Sequence, residues 1–270
     1  MEIRKIAIIG AGNMGGATAA GLAQGTAVNR GDIRVANRGA AKLEALAGRY
    51  PGIFTTQSNV EAAEGADLVI LAVKPWVIEG VVEELMPHID PARQIVASMV
   101  GGLPLGELRE MAERHLPEGG ATPPLAVIIP NTAIEVRQSM TFIQTDITDK
   151  STTDRLLEIF KELGDAMLAD GRQLAAGMAM ASCGIAYAMR WARAMQQGGV
   201  RLGFYPADAL RVALKTMEGA AALLQATGRH PEEEIDRVTT PGGITVKGLQ
   251  AMEEAGFSTA VLKALLASKR

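Results

Sequence analysis

The first residues whose types and spacing point to chemistry are Gly10-Ala11-Gly12-Asn13-Met14-Gly15, a G-x-G-x-x-G. An apolar run, Ile6-Ala7-Ile8-Ile9, leads into it, and a helix-forming stretch opens inside it. In such a context Gly10 allows a tight turn, Gly12 lets backbone approach a pyrophosphate, and Gly15 lets helix and strand pack closely. The pyrophosphate then meets free N–H groups and the positive end of the helix dipole. The pattern by itself also fits a purely structural glycine turn. The strand before it and the helix after it favour a dinucleotide.

Three further places face the same question of what they hold. The second apolar run ends Ala36-Asn37-Arg38. An NAD site usually carries Asp or Glu there for the ribose 2′-hydroxyl. Asp32 lies at the wrong end of that run, whereas Arg38 suits a 2′-phosphate and Asn37 adds a donor, so NADP(H) is preferred and NAD(H) is the second choice. A solvated charge at the next helix start is the plain alternative for Arg38. Later, Lys74 and Pro75 follow one strand, and Ser98 closes another just before Gly101-Gly102. Ligands bind outside the carboxyl ends of such strands. Near the C-terminus, Thr239-Thr240-Pro241-Gly242-Gly243-Ile244-Thr245 precedes a helix, exposing N–H groups suited to a carboxylate. Local chemistry there fits an ordinary N-cap by Thr245 equally well.

These residues need elements to position them. Apolar runs at Ile6–Ile9, Ile33–Ala36, Leu68–Val73, Gln94–Ser98 and Ala126–Ile129 read as strands buried on both faces. Helices are predicted at Met14–Gln24 and Ala40–Tyr50, with two more carrying Val77 to Met86 and Leu105 to Met111. Alternation of this kind implies an α/β fold with a Rossmann-type doubly wound parallel sheet. From about Thr152 the pattern reads as helical throughout: Thr152–Leu163, Arg172–Gln197, Pro206–Thr227, Pro231–Arg237, Ile244–Glu254 and Ser258–Ala267. The predicted organisation is therefore a dinucleotide-binding domain over residues 1–164 and an all-α domain over residues 165–270. The Arg172 helix is apolar nearly all round, so it must be buried. A subunit interface made by the Arg172 and Pro206 helices is the expected cover, with an intrachain core as the alternative.

Composition narrows the classes. The chain has 270 residues, 48% of them hydrophobic, and a formal net charge of −3 with signs interspersed. That argues against nucleic acid, which needs a concentrated basic face. Cys183 is the single cysteine, so no internal disulfide forms and a reducing compartment fits. The three histidines, His88, His115 and His230, are far apart, and no metal site is expected. Met1 to Lys5 runs straight into a strand without an export pattern, and the longest uncharged apolar stretch, Leu174 to Met189, is too short for a bilayer. The expectation is a soluble cytoplasmic protein without membrane partners.

The whole chain resembles the pyrroline-5-carboxylate reductase family. The resemblance rests on Ile9 to Gly15, Asn59, Ala72-Val73-Lys74-Pro75, Pro130-Asn131-Thr132, Gly199 to Gly203, and above all Thr239 to Thr245 followed by Gly248-Leu249 and Gly256-Phe257. It implies a Rossmann domain, a helical domain that forms a homodimer and in some members a higher oligomer, and reduction of 1-pyrroline-5-carboxylate to L-proline by NADPH or NADH. It implies cofactor contacts at Asn13, Met14, Asn37, Arg38, Asn59, Ala72 and Lys74. It also implies a substrate-carboxylate site at Thr240, Gly243, Ile244 and Thr245, with the Thr245 hydroxyl at the ring nitrogen. The chain departs from the family at Ala181 to Tyr187, where Ser-Gly-Ser-Gly-Pro-Ala-Tyr is usual, and at Val127, Ile129, Ala133 and Ser139. Ile185 in place of proline predicts a less kinked helix.

Two rival readings differ in testable ways. A β-hydroxyacid dehydrogenase would need a lysine in the long central helix, and Arg172 to Gly199 has none. A catalytically silent dinucleotide-binding protein would bind the cofactor without turnover. Cys183 reads as a small helix residue rather than a nucleophile.

Overall fold

A computed structural model describes residues 1–268, which divide into two compact units, Met1–Ser182 and Cys183–Ser268. The first is built on one eight-stranded sheet. Its strands are β1 (Ile6–Ile9), β2 (Ile33–Ala36), β3 (Phe54–Thr56), β4 (Leu68–Leu71), β5 (Ile95–Ser98), β6 (Leu125–Ile129), β7 (Ser139–Thr145) and β8 (Gly164–Leu168). Their spatial order is β3-β2-β1-β4-β5-β6-β7-β8. All neighbours run parallel except β6 and β7.

Connecting helices cover both faces: α1 (Asn13–Gln24), α2 (Ala40–Arg49), α3 (Asn59–Ala63), α4 (Ile78–Leu85), α5 (Leu105–Arg114) and α6 (Lys150–Lys161). Strand side chains alternate between the two layers. Ile6, Ile8, Ile33 and Ile70 join one core with Leu22 of α1 and Phe160 of α6. Ala7, Ile9, Val69 and Leu71 join the other with Val82 of α4 and Leu108 of α5. The expected doubly wound sheet is thus present, and its five predicted strands are there within two residues of their expected ends.

Three strands lie outside the predicted pattern. β3 is only three residues long. β7 carries buried Ser139 and Thr141, whose hydroxyls bond each other at 3.2 Å, so polar residues interrupt the apolar run. β8 breaks the expectation of helix throughout from Thr152. It lies at the sheet edge with Met167 and Leu168 exposed, which hides the signature of a buried strand. The expected boundary after residue 164 falls inside this strand, and the sheet unit continues to Ser182.

The predicted Arg172–Gln197 helix is also divided. α7 (Gly171–Gly177) passes into a π-helical stretch, Met178–Cys183, before α8 (Gly184–Arg201). The helical ladder therefore changes register without a proline. Within the first unit, the Ser182 hydroxyl donates to the Pro130 carbonyl at 2.8 Å and the Asn131 amide reaches the Ala181 carbonyl at 3.5 Å. These bonds anchor the π-helical stretch to the exit of β6, as a π-bulge requires alternative partners for its backbone.

The second unit contains α8, α9 (Pro206–Thr227), α10 (Pro231–Val238), α11 (Ile244–Glu254) and α12 (Phe257–Ala267). Pro206 opens α9 and a left-handed Gly228 ends it, as predicted. Helices α8 and α9 pack along one another with Ala192, Ala209 and Ala213 buried. Met180, before α8, and Met189, on it, are exposed in the single chain, so burial of the Arg172 stretch is not achieved within one copy. Among the described residues no helix is long and apolar enough to cross a membrane.

One carboxylate ties the ends of the sheet unit together. Glu162, just past α6, accepts from the Thr26 N–H at 2.5 Å, the Thr26 hydroxyl at 2.7 Å and the Ala27 N–H at 2.6 Å. Arg137, held in the left-handed region at φ 59°, donates to the Glu162 carbonyl at 3.0 Å and the Gln24 carbonyl at 3.3 Å. Burial pushes the Glu162 carboxyl up, but the Thr26 and Ala27 donors and the Arg137 charge outweigh it, so its pKa is lowered. A lowered folded-state pKa adds stability above the unfolded value of about 4.3 and loses it as pH falls through the folded value. Glu162→Ala is expected to cost about 2 kcal/mol at pH 7, as three donors lose a charged acceptor. Urea denaturation should show that cost shrinking below about pH 4. An unchanged difference at both pH values would contradict this account.

Candidate cofactor and substrate sites

The sheet order places a switch point between β1 and β4. From β1 the chain winds one way through β2 and β3, then returns to build outward from β4. The registers pair Ile9 with Ala36, Ile9 with Leu71, and Leu71 with Ser98. Gly10, Asn37, Ala72 and Met99 are therefore the first residues beyond four adjacent strand ends. This is the crevice in which doubly wound folds bind ligands.

Gly10 and Gly15 are required by the close approach of strand and helix. Gly10 has φ 107°, and a Cβ there would sit 2.7 Å from the Ala72 carbonyl oxygen. A Cβ on Gly15 would lie 1.9 Å from the Gly10 carbonyl oxygen and 2.9 Å from Ala72 Cβ. Gly12 is different, since a Cβ there would meet no protein atom within 4 Å. Gly12 is also the N-cap of α1, without a side-chain cap. The first turn of α1 thus presents uncapped N–H groups beside open space, as an anionic pyrophosphate requires. Asn13 is exposed at that helix start, and Met14 is half-buried against the core.

Asn37 has an internal role that the sequence does not reveal. Its Oδ1 accepts from the Ala11 N–H at 3.1 Å and its Nδ2 donates to the Gly39 carbonyl at 2.9 Å. The carboxamide thus braces the glycine turn against the end of β2. Arg38 is exposed, and its side chain makes no hydrogen bond or ion pair among the described residues. Lys42, one turn into α2, lines a groove with Gly12 and Asn13. It stands four residues after Arg38, the spacing of one helical turn, and sequence reading passed over it.

The remaining predicted cofactor residues divide. Ala72 is half-buried against Gly10. Lys74 is exposed and caps the 3₁₀ turn Pro75–Val77, with its Nζ 6.0 Å from the Trp76 ring centre. Asn59 opens α3 and donates to Glu84 Oε2 at 2.7 Å. Ser98 is fully buried, and its hydroxyl accepts from the Val100 N–H at 3.1 Å. It has no surface open to the crevice and instead shapes the turn that follows β5.

In the second unit, Thr240 to Thr245 forms the turn before α11. Gly243 is its N-cap, and the Gly243 N–H donates to the Thr240 carbonyl at 2.8 Å. Thr245 does not cap the helix, since it lies one residue inside it, and the N-cap itself carries no side-chain bond. Ile244 is 86% exposed, and Thr240 and Thr245 are exposed. Uncapped N–H groups and two hydroxyls therefore meet at one helix start.

The comparisons with known proteins follow this division. Residues 5–102 match the family described as NADP oxidoreductase, coenzyme F420-dependent, and residues 171–270 match the pyrroline-5-carboxylate reductase dimerisation family. Pyrroline-5-carboxylate reductase of Corynebacterium melassecola is 32% identical over 262 residues, which cover 96% of this chain and 94% of the relative. The chain belongs to the pyrroline-5-carboxylate reductase family. Pyrroline-5-carboxylate reductase 1 of Dictyostelium discoideum is 34% identical over 97% of this chain, which spans 48% of that relative's length. The fold is similar to that of Plasmodium falciparum pyrroline carboxylate reductase with NADP bound, with a TM-score of 0.85 at 23% identity. That likeness covers 99% of this chain and 96% of the other.

Of the departures from the family pattern, those in and beside β6 are buried, whereas Ala133 and the 181–187 segment are partly exposed. Val127 and Ile129 are buried in β6, and the Ser139 hydroxyl accepts from the Asn131 N–H at 3.0 Å. The glycine geometry gives a contrast between two neighbouring substitutions. Gly15→Ala drives a methyl into backbone and should cost about 3 kcal/mol of stability. Gly12→Ala should leave the melting temperature within a few degrees while weakening NADPH binding at least tenfold, roughly 1.4 kcal/mol. Thermal melts and an NADPH fluorescence titration separate the two. Full cofactor affinity in Gly12→Ala would remove the pyrophosphate from this turn.

Proposed function

We propose that the chain reduces 1-pyrroline-5-carboxylate to L-proline with NADPH, the closing step of proline synthesis. The observation that carries the cofactor half is the open space over Gly12 beside the uncapped start of α1 at the β1–β4 switch point. The residues fit a dinucleotide on their own chemistry, since glycine backbone and free N–H groups suit a pyrophosphate. The exposed Arg38 and Lys42 suit the 2′-phosphate of NADP, with NAD(H) as the second choice. By the family resemblance, Asn13, Met14, Asn37, Asn59, Ala72, Lys74 and Pro75 line the cofactor, with Lys74 towards its nicotinamide end.

The substrate half rests on family membership and on the turn before α11. The N–H groups of Ile244 and Thr245, with the Thr240 hydroxyl, hold the substrate carboxylate, and Gly243, whose own N–H is taken by the Thr240 carbonyl, shapes the turn that presents them. Thr245 places its hydroxyl at the ring nitrogen and orients it. When bound, the reduced nicotinamide supplies a hydride to the imine carbon, and the nitrogen retains its proton as the amine forms. A protonated imine is already electrophilic, so the protein's contribution is to hold two ligands in register. Thr245 is too weak an acid to be more than a hydrogen-bonding partner.

The sheet unit, expected over 1–164, binds the cofactor, and the helical part, expected over 165–270, binds substrate and pairs with a second copy. A dimer through the α8 and α9 helices covers their exposed apolar side chains. Assembly beyond the dimer and a cytoplasmic location, which suits the single Cys183, complete this reading.

The deciding assay follows NADPH oxidation by the whole chain with 1-pyrroline-5-carboxylate, beside NADP reduction with a 3-hydroxy acid. Consumption with the imine and none with the hydroxy acid is expected. NADPH binding without turnover would leave a silent dinucleotide-binding protein. Thr245→Ala should lower kcat/KM for the imine about tenfold, the loss of roughly 1.4 kcal/mol, with NADPH affinity unchanged. Full turnover in that variant would remove Thr245 from the site. Light scattering should give at least a dimeric mass, and a monomeric mass would refute the pairing.

A further inference from the structure

Arg38, the residue best suited to a 2′-phosphate, stands in a loop whose backbone is held from a different strand. Just beyond β3, the Gln57 side chain donates from Nε2 to the Arg38 carbonyl oxygen at 2.6 Å. Next to it, the Asn37 N–H donates to the Thr56 carbonyl at 3.2 Å, and Asn37 Nδ2 donates to the Gly39 carbonyl at 2.9 Å. Two successive carbonyls, of Arg38 and Gly39, are thus each drawn towards an amide donor.

A trans peptide points its C=O and N–H in opposite directions. Holding those two carbonyls therefore turns the Gly39 and Ala40 N–H groups the other way. Neither N–H has a partner among the described residues. Gly39 is moreover the N-cap of α2 and carries no side-chain cap. The Arg38 side chain leaves the same short loop, unpaired and exposed, and Lys42 follows one turn later. The loop thus presents two free N–H groups beside two cationic side chains, and among the described residues Gln57 is the one side chain outside residues 37–39 that fixes its backbone.

We infer that Gln57 is a positioning residue for cofactor choice: by holding the Arg38 carbonyl, it sets the 38–40 backbone to receive the 2′-phosphate and so favours NADPH over NADH. It touches neither reacting atom. It acts through the backbone of residues 38–40, and only on the cofactor that carries the extra phosphate. The inference rests on the NADPH reading above, and its test separates the two.

Gln57→Met keeps the side chain's length and removes its donor at an exposed position, so folding is preserved. The expected result is a KM for NADPH raised about fivefold, a KM for NADH within twofold of the parent, and kcat with either cofactor little changed. A fluorescence titration should show the same selective loss of NADPH affinity without turnover. Arg38→Ala and the Arg38→Ala, Gln57→Met double variant close a cycle. Arg38→Ala keeps the main-chain carbonyl that Gln57 holds, so Gln57→Met should weaken NADPH binding in that background as well, and no further loss there would overturn the inference. Equal losses for NADPH and NADH in Gln57→Met, or no loss for either, would overturn the inference while a selective loss in Arg38→Ala kept the cofactor reading intact. An Arg38→Ala variant with unchanged NADPH preference would instead remove the 2′-phosphate from this loop, and the inference with it.

Discussion

The near-contact of α1 with the end of β1 is the constraint on which the rest of the sheet unit depends. With no side chain at Gly15, the helix start can close to where a Cβ would stand 1.9 Å from the Gly10 carbonyl oxygen. That approach does two things at once. It seals one core under Leu22 and its neighbours. It also aims the uncapped end of α1 across the ends of β1 and β4, leaving Gly12 as the point where protein stops and open space begins. A larger residue at Gly15 would move the helix outward and take the anion-binding N–H groups with it. Packing and binding geometry are here one variable.

The same economy appears around that turn. Asn37 does not stand free to greet a phosphate. It ties the Ala11 N–H to the Gly39 carbonyl, so the loop after β1 and the loop after β2 move together. Gln57 adds the loop after β3 to this set. Three consecutive strand ends are thereby joined by side-chain amides. Each such bond is worth only about 1 kcal/mol, but together they remove the loop freedom that binding would otherwise have to quench. At the far end of α1, Glu162 and Arg137 hold the loop after the helix in a comparable way. Both termini of α1 are therefore fixed by residues distant in sequence.

Most of the fold was legible because it rests on period and punctuation. Continuous apolar runs marked β1, β4 and β5, and Pro206 with Gly228 marked α9 to the residue. What escaped did so for physical reasons. In β7, Ser139 and Thr141 satisfy each other's hydroxyls, so a buried strand carries polar residues. In β8 an edge position exposes Met167 and Leu168, and no buried alternation develops. The π-helical stretch before α8 depends on Asn131 and Ser182, whose partners lie some 50 residues apart in the chain. Within the candidate site, glycine positions were readable because steric absence is written directly in the residue type. Ser98 was not, since a place at a strand end does not say which way a side chain faces. Lys42 and Gln57 were missed because their relevance lies in what they adjoin in space.

The helical unit poses the opposite problem from the sheet unit. Its five helices bury only Ala192, Ala209, Ala213 and Glu234 among the described residues, while Leu214, Leu262 and Leu266 remain exposed. Apolar side chains repay ordering only when they leave water, and three alanines leave little to offset the conformational entropy of so many residues. Periodicity alone could mark these stretches as helices, because it reports a face and not what covers the face. The match of residues 171–270 to a dimerisation family supports a second copy as the cover. The turn before α11, the proposed substrate site, hangs on this same unit. Its geometry is therefore only as well defined as the pairing that buries the helices around it. On the proposed assignment of that turn, the substrate site depends on association in the way that the cofactor turn depends on Gly15: the packing that completes the core also sets the site.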